Sequence, residues 1–346
     1  MRLRIGVVGA GHIAMESHLP VFKNLKEVEI AAICDQRLPV AEEVASKFGV
    51  KSVFADMSEM LGKEKLDVAD ICTPPQTHAE LSIQAMENGC NVLVEKPMAT
   101  NIKDADRMIN SSERNSVELC VVHQNLCNPA VVKARHLVES GTLGDVLSVD
   151  VQTFEMKDSE TILNQNHWSH TLPGGIFFEI LPHSIYLLQS FLEGATPVQI
   201  LSRKLGSVKW IPKDEIRVLV EARNGIGSIG ASCNSLIHGD RLDIIGTRKA
   251  LSADLWGRTV LVPRPHTISS LSVGMSNVHL CLQLFKVIGS TASTFLKAIR
   301  NPVQVSAHYD FISKFINSIR NETEPPTTGE DGRETVKTLE TICKQI

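Results

Sequence analysis

Gly9-Ala10-Gly11-His12-Ile13-Ala14 carries the clearest chemical content in the chain. Glycines in a G-x-G-x-x-G/A spacing let the backbone turn tightly after a strand and approach a pyrophosphate. The unpaired amides at the start of the following helix then face its charge. The pattern gains force from its setting. The next apolar run ends at Cys34-Asp35, and Asp35 stands where an acidic residue accepts a ribose 2′-hydroxyl. A carboxylate there repels a 2′-phosphate, which favours NAD, whereas Arg37 is a side chain able to hold such a phosphate, so NADP stays open. A second group of donors, His167, His170, Glu179 and His183, offers metal-ligand chemistry. Its spacing matches no recognised zinc pattern, and hydride chemistry needs no metal, so none is expected.

A cradle of this kind needs a parallel sheet, and the first third of the chain alternates short apolar strands with crossover helices. The strands are expected at Leu3 to Val8, Val28 to Cys34, Val68 to Cys72, Asn91 to Val94 and Val117 to Val122. Helical patterns fill Ala14 to Asn24, Pro39 to Phe48, Thr77 to Asn88 and Ile102 to Arg114. After Val122 the pattern changes. A helix from Pro129 to Ser140 leads into extended segments at Leu147 to Phe154, Val198 to Leu205, Ile216 to Ala222, Ile226 to Asn234 and Arg241 to Ile245. The expected fold class is α/β: a doubly wound, Rossmann-type parallel sheet over 1–122, then an α+β domain over 123–346 with a large, mostly antiparallel sheet. The last helix, 330–344, is expected to pack back near the first domain.

A chain of 346 residues suits two domains. Its 43% hydrophobic and 21% charged residues suit a globular protein, and a net charge of −4 gives no basic footprint for nucleic acid. The eight cysteines form no C-x-x-C pair and lie mostly in apolar runs, as reduced thiols in a cytoplasmic protein do. No secretory signal is expected at the start, and no uninterrupted apolar run reaches the length of a membrane span. From Leu255 through Tyr309 there is no Asp or Glu, while Arg258, Arg264, Lys286, Lys297 and Arg300 fall inside. Within 278–300, Lys286, Ser290, Ser293, Lys297 and Arg300 share one helical face, with Leu284, Val287, Ile288, Phe295 and Ile299 elsewhere. Gly289 is a point where this helix could kink or split. Packing of its apolar side on the sheet or another subunit, with the lysines in water, is one reading. An anionic partner is the other, either nucleotide-sugar phosphates or weak contact with an acidic membrane surface.

Three further motifs complete the pattern in order: Thr73-Pro74-Pro75-Gln76-Thr77-His78 after a strand, Glu95-Lys96-Pro97 after the next, and Gly174-Gly175 before Glu179 and His183. With Gly329-Glu330-Asp331-Gly332-Arg333 near the end, the chain resembles the glucose-fructose oxidoreductase, inositol dehydrogenase and MocA family over nearly its whole length. The resemblance implies an NAD(P)-dependent dehydrogenase acting on a sugar, polyol or sugar derivative, assembled as a homodimer or homotetramer through the open sheet, with a cis bond before Pro97. It implies cofactor contacts from Gly9, Gly11, His12, Ile13, Asp35, Arg37, Thr73, Pro74, His78, Glu95 and Lys96. Lys96, His183 and Glu179 would be catalytic, and Lys96, Asn125, His167, Trp168, Glu179 and His183 would meet the substrate. Oxidising an alcohol needs a base at the hydroxyl as the hydride leaves carbon. Histidine titrates near neutrality, and a lysine serves where burial or nearby positive charge favours its neutral form. Glu179 stands where the family commonly has aspartate, and 123–129 lacks an arginine that many relatives carry. A non-catalytic NAD(P)-binding sensor or scaffold of the same fold is the alternative.

Overall fold

Strands β1 (Leu3–Val8), β2 (Val28–Cys34), β4 (Val68–Ile71) and β5 (Asn91–Val94) are runs of Val, Ile and Ala, buried for most of their length, the composition of a parallel sheet covered on both sides. With β3 (Ser52–Phe54) and β6 (Leu119–Val121) they form a six-stranded sheet in the order β3-β2-β1-β4-β5-β6. This is the doubly wound order, and the winding reverses between β1 and β4, where such sheets bind ligands at the strands' carboxyl ends. The structure is a computed structural model that describes residues 2–264 and 269–346; the side chains of Ser290 and Ser293, two members of the polar stripe read from the sequence, lie outside the described residues. Sequence spacing predicts five of the six strands. The missing one, β3, is three residues long and too short to show a period.

The compact unit around this sheet comprises Met1–Gln124 and Asn301–Glu340. The returning segment joins it through two amphipathic helices. Phe311, Ile312, Phe315 and Ile316 on the helix Ala307–Asn321 are buried, as are Val336 and Leu339 on the helix Gly329–Cys343. Val336 belongs to the same core as Met98, Met108, Leu119 and Val121.

The second unit comprises Asn125–Arg300 and Thr341–Ile346. Its seven strands are β7 (Val146–Met156), β8 (Thr196–Arg203), β9 (Glu215–Ala222), β10 (Gly225–Ser235), β11 (Gly239–Gly246), β12 (Ala250–Asp254) and β13 (Thr259–Leu261). They lie in the order β13-β12-β11-β7-β10-β9-β8, antiparallel throughout except where β7 meets β10. Along β9 the side chains alternate: Ile216, Val218 and Val220 are buried, while Arg217, Leu219 and Glu221 face out. The buried face meets the helix Ile176–Gln189, whose Ser184 hydroxyl bonds to Thr153 Oγ1 of β7 at 2.7 Å. The predicted 278–300 helix is longer, one continuous helix Ser270–Arg300 of 31 residues that Gly289 does not split. By length and composition alone it could cross a membrane, although it contains no uninterrupted apolar run of that length. Its serines, threonines and glycines interrupt the apolar run without making the segment polar.

Candidate functional site

In the first unit, Gly9 follows β1 with φ at +93°, and its N–H donates to the Cys34 carbonyl at 2.8 Å. A Cβ there would stand 2.8 Å from the carbonyl carbon and oxygen of Cys72, backbone atoms that cannot yield, so only glycine fits. Gly11 is the opposite case. A Cβ on it would meet nothing within 4 Å, so the space beside the loop at the first turn of helix is open. That helix runs through His12 and Ile13, a π-helical turn Ala14–His18, and Leu19–Asn24. His12 is exposed and Ile13 half-buried.

Asp35 at the end of β2 is buried, and it ties the loop together. One carboxylate oxygen accepts the Ala10 N–H at 3.0 Å, and the other accepts the Arg37 N–H at 2.9 Å and lies 3.4 Å from Arg37 Nε. The residues therefore fit a dinucleotide: an open glycine cradle, a helix start and a fixed carboxylate at the adjoining strand end. Thr73 is half-buried and Pro74 exposed after β4, with the Thr77 hydroxyl donating to the Pro74 carbonyl at 2.9 Å. The His78 ring bridges two carbonyls, Thr73 at 2.7 Å and Pro97 at 2.9 Å. Burial pushes its imidazole down, so at neutral pH one ring nitrogen donates at a time. The Lys96-Pro97 peptide is cis, Lys96 is half-buried, and its N–H donates to Glu95 Oε2 at 3.0 Å.

Sequence reasoning missed the charged cluster behind Glu95. His18 is fully buried, with Nδ1 2.9 Å from Asp70 Oδ1 and Nε2 3.0 Å from Glu95 Oε1. Burial alone would depress its imidazole, but Asp70 and the nearby Cys72 thiol outweigh that and hold it well above its ordinary value. Burial would likewise raise Glu95, yet its bond to His18 holds it at about 2. Both ring nitrogens thus donate, and the arrangement is an imidazolium clamped between two carboxylates. The His308 ring lies tilted, its centre 5.8 Å from that of His18, and it is pushed down to about 4 by burial and by the positive neighbours His18 and Lys96 against the pull of Glu95. Asp70 could have been found. A carboxylate within the apolar strand Val68-Ala69-Asp70-Ile71 is costly unless paired. Among the described residues, the sets of three possible metal donors within 4.8 Å of one another are His18, Asp70, Cys72 and His18, Glu95, His308, not the His167 to His183 quartet.

In the second unit, Gly174 and Gly175 both have positive φ, and they turn the chain into the helix that carries Glu179 in its first turn and His183 one turn later. His183 Nδ1 lies 2.9 Å from the Tyr186 hydroxyl, which accepts the Asn125 N–H at 3.2 Å. Tyr186 therefore orients His183 and fixes Asn125; it was absent from the sequence-derived set, although its i+3 spacing from His183 was there to be read. His167 lies 2.8 Å from Ser169 Oγ, and its ring is 5.1 Å from that of half-buried Trp168. Burial, then the neighbouring His170, pushes His167 down.

Residues 3–123 match a family model described as an oxidoreductase family with an NAD-binding Rossmann fold, and residues 131–252 match the GFO/IDH/MocA C-terminal domain. The chain is 25% identical to Oxidoreductase P35 of Formosa agariphila over 276 residues, covering 78% of this chain and 84% of that one. It is 24% identical to myo-inositol 2-dehydrogenase of Thermotoga maritima over 344 residues, covering 96% and 92%. The crystal structure of the WlbA dehydrogenase from Bordetella pertussis, in complex with NADH and UDP-GlcNAcA, superposes with a TM-score of 0.81 at 21% identity, over 99% of this chain and 95% of that one. With both domain models matched in order, and the glycine cradle and Asp35 in place in the first of them, the chain belongs to the Gfo/Idh/MocA family of NAD-dependent oxidoreductases.

Proposed function

We propose that the protein oxidises or reduces a secondary alcohol of a sugar, polyol or nucleotide sugar, and that Lys96 and His183 handle the hydroxyl proton. The observation that carries this is the pinned Glu95-Lys96-Pro97 loop at the carboxyl end of β5, in the same unit as the Gly9-Gly11 cradle. NAD, when bound, supplies the acceptor for the hydride that leaves the carbinol carbon. The turn at Gly9 and the open backbone at Gly11 let its diphosphate approach the helix start, Asp35 selects its ribose, and His12, Ile13, Arg37, Thr73, Pro74 and His78 complete the contacts. In the oxidative direction the hydroxyl proton passes to Lys96 or His183 as the carbonyl forms, and in the reductive direction the same groups return it. Tyr186 keeps the His183 ring in one orientation. Asn125, His167, Trp168 and Glu179 bind the sugar-like substrate, Trp168 by stacking on an apolar sugar face. The inositol relative and the nucleotide sugar bound to the superposed dehydrogenase support that substrate class.

The proposal extends to a cytoplasmic homodimer or homotetramer, since all eight cysteines are free thiols and the outer sheet face exposes Leu201, Leu219 and Ile226. Contact of 278–300 with an anionic membrane surface belongs to it as well. The test is a panel of polyols, free sugars and UDP-sugars scored by NADH absorbance, with wild type and Lys96→Ala. Turnover that Lys96→Ala abolishes while NADH binding persists is the expected result. Micromolar NADH binding with silence across the panel favours a non-catalytic sensor.

A further inference from the structure

The helix Ser270–Arg300 turns inward the side that carries Ser276 and Gln283, with Leu280 and Val287 half-buried beside them. Gln283 pairs with the Val262 backbone, accepting its N–H at 2.9 Å and donating to its carbonyl at 2.7 Å, and the Ser276 hydroxyl donates to the Arg264 carbonyl at 3.0 Å. Ser276 is 4% exposed, whereas Phe285 is 71% and Ile288 64% exposed. At about 100° per residue, Leu271, Val278, Leu282, Phe285, Ile288 and Leu296 fall on one broad face, all of them exposed. Most of the helix's apolar bulk thus faces outward, whereas an ordinary surface helix buries its apolar stripe. His279, Lys286 and Lys297 line up at one border of the apolar face, and all are exposed.

We infer that this helix lies in the plane of an anionic lipid bilayer, its Leu271-to-Leu296 face among the acyl chains and Lys286, Lys297 and Arg300 at the phosphates. The surrounding sequence has the matching charge, with no acidic residue from Leu255 through Tyr309 to repel lipid phosphates. The same charge opposes a second copy as the occupant. Two such faces brought together would confront their lysine borders with no carboxylate on either helix to neutralise them. A crossing orientation is also opposed: Lys286 falls mid-helix, and Gln283 and Ser276 tie the helix to backbone of its own unit, so lipid does not surround it. A wide apolar face with a basic border is the pattern of an interfacial helix. The inference goes beyond electrostatic contact of 278–300 and stands apart from the proposed catalysis, since vesicle binding is read without substrate or NAD.

The full chain is mixed with phosphatidylcholine vesicles carrying about 30 mol % phosphatidylglycerol and floated at about 0.1 M and about 1 M NaCl. Wild type is expected to float at low salt and to keep a substantial bound fraction at high salt, because burial of apolar face is not screened. Lys286→Gln with Lys297→Gln should weaken low-salt binding by about fivefold per charge removed. Phe285→Ser with Ile288→Ser should abolish binding at both salts while thermal melting stays unchanged, as expected of exposed positions. Exposed Cys281, beside the apolar face, should become protected from a water-soluble maleimide when vesicles are added, with Cys281→Ser as the control. No flotation at low salt overturns the inference. So does flotation unaffected by Phe285→Ser with Ile288→Ser, or a vesicle-free dimer that this variant dissolves.

Discussion

Gly9 and Gly11 share one loop, yet the structure assigns them different work, and alanine at each separates the two roles. At Gly9 the added Cβ would sit 2.8 Å from two backbone atoms of Cys72, well inside ordinary van der Waals contact, on a residue whose φ is +93°. The positive φ costs an L-residue about 1–2 kcal/mol and overpacking against an immovable wall about 1–3 kcal/mol, so Gly9→Ala should destabilise by about 2–5 kcal/mol. For a unit of this size that is a fall in Tm of about 5–15 °C, read by circular dichroism without cofactor. Gly11→Ala meets open space and should leave Tm unchanged or raise it by up to about 4 °C, because the change restricts the unfolded chain and clashes with nothing. Its methyl, however, would occupy the open space assigned to the diphosphate. NADH affinity by titration calorimetry should fall at least about tenfold, equivalent to about 1.4 kcal/mol. If Gly11→Ala binds NADH as wild type does, the cradle is not where the diphosphate lies. If Gly9→Ala melts with wild type, the steric account of the turn is wrong.

His18→Leu should cost about 3–5 kcal/mol, since it leaves the buried carboxylates of Asp70 and Glu95 without their shared cation; a melting temperature within a degree or two of wild type would refute the clamped imidazolium. The sign of the pH effect follows from the raised His18 value. The stabilisation is complete below the unfolded value near 6.5 and is lost only as pH rises through the folded one, so the alkaline fall in stability should shrink in that variant. Burial lowers His123 to about 4, against a weaker pull from Asp331 and Glu95. Its contribution is therefore present above pH 6.5 and lost, by about 3 kcal/mol, as pH falls toward 4. Urea unfolding of wild type and His123→Gln at the two ends of that window checks this, and equal acid losses in both would contradict it. Asp35→Ser removes the carboxylate beside Arg37 and should raise the ratio of NADP to NAD affinity at least about tenfold; an unchanged ratio would remove Asp35 from ribose recognition.

The cradle was legible in the sequence because its chemistry is local. Gly9, Gly11 and the strand end at Asp35 each announce a backbone requirement within a few residues. The order of the sheets followed from the same alternation of strands and helices, while β3, β12 and β13 did not, because three to five residues carry too little period to stand out. The His18 cluster was illegible for a different reason. Its members come from the π-helical turn, β4, the end of β5 and the returning helix at His308, and only folding brings them together. The helix Ser270–Arg300 shows the sharpest limit. Its basic border could be read from spacing, but spacing alone cannot say which face the protein keeps for itself. An amphipathic pattern is satisfied equally by burying the apolar stripe against a sheet or by offering it outward, and Gln283 and Ser276, two polar residues with partners 21 and 12 residues earlier, decide the matter. Each satisfies backbone groups just beyond β13 that otherwise need water. That requirement turns the side with Ser276 and Gln283 inward, and the broad Leu271-to-Leu296 face is left outward.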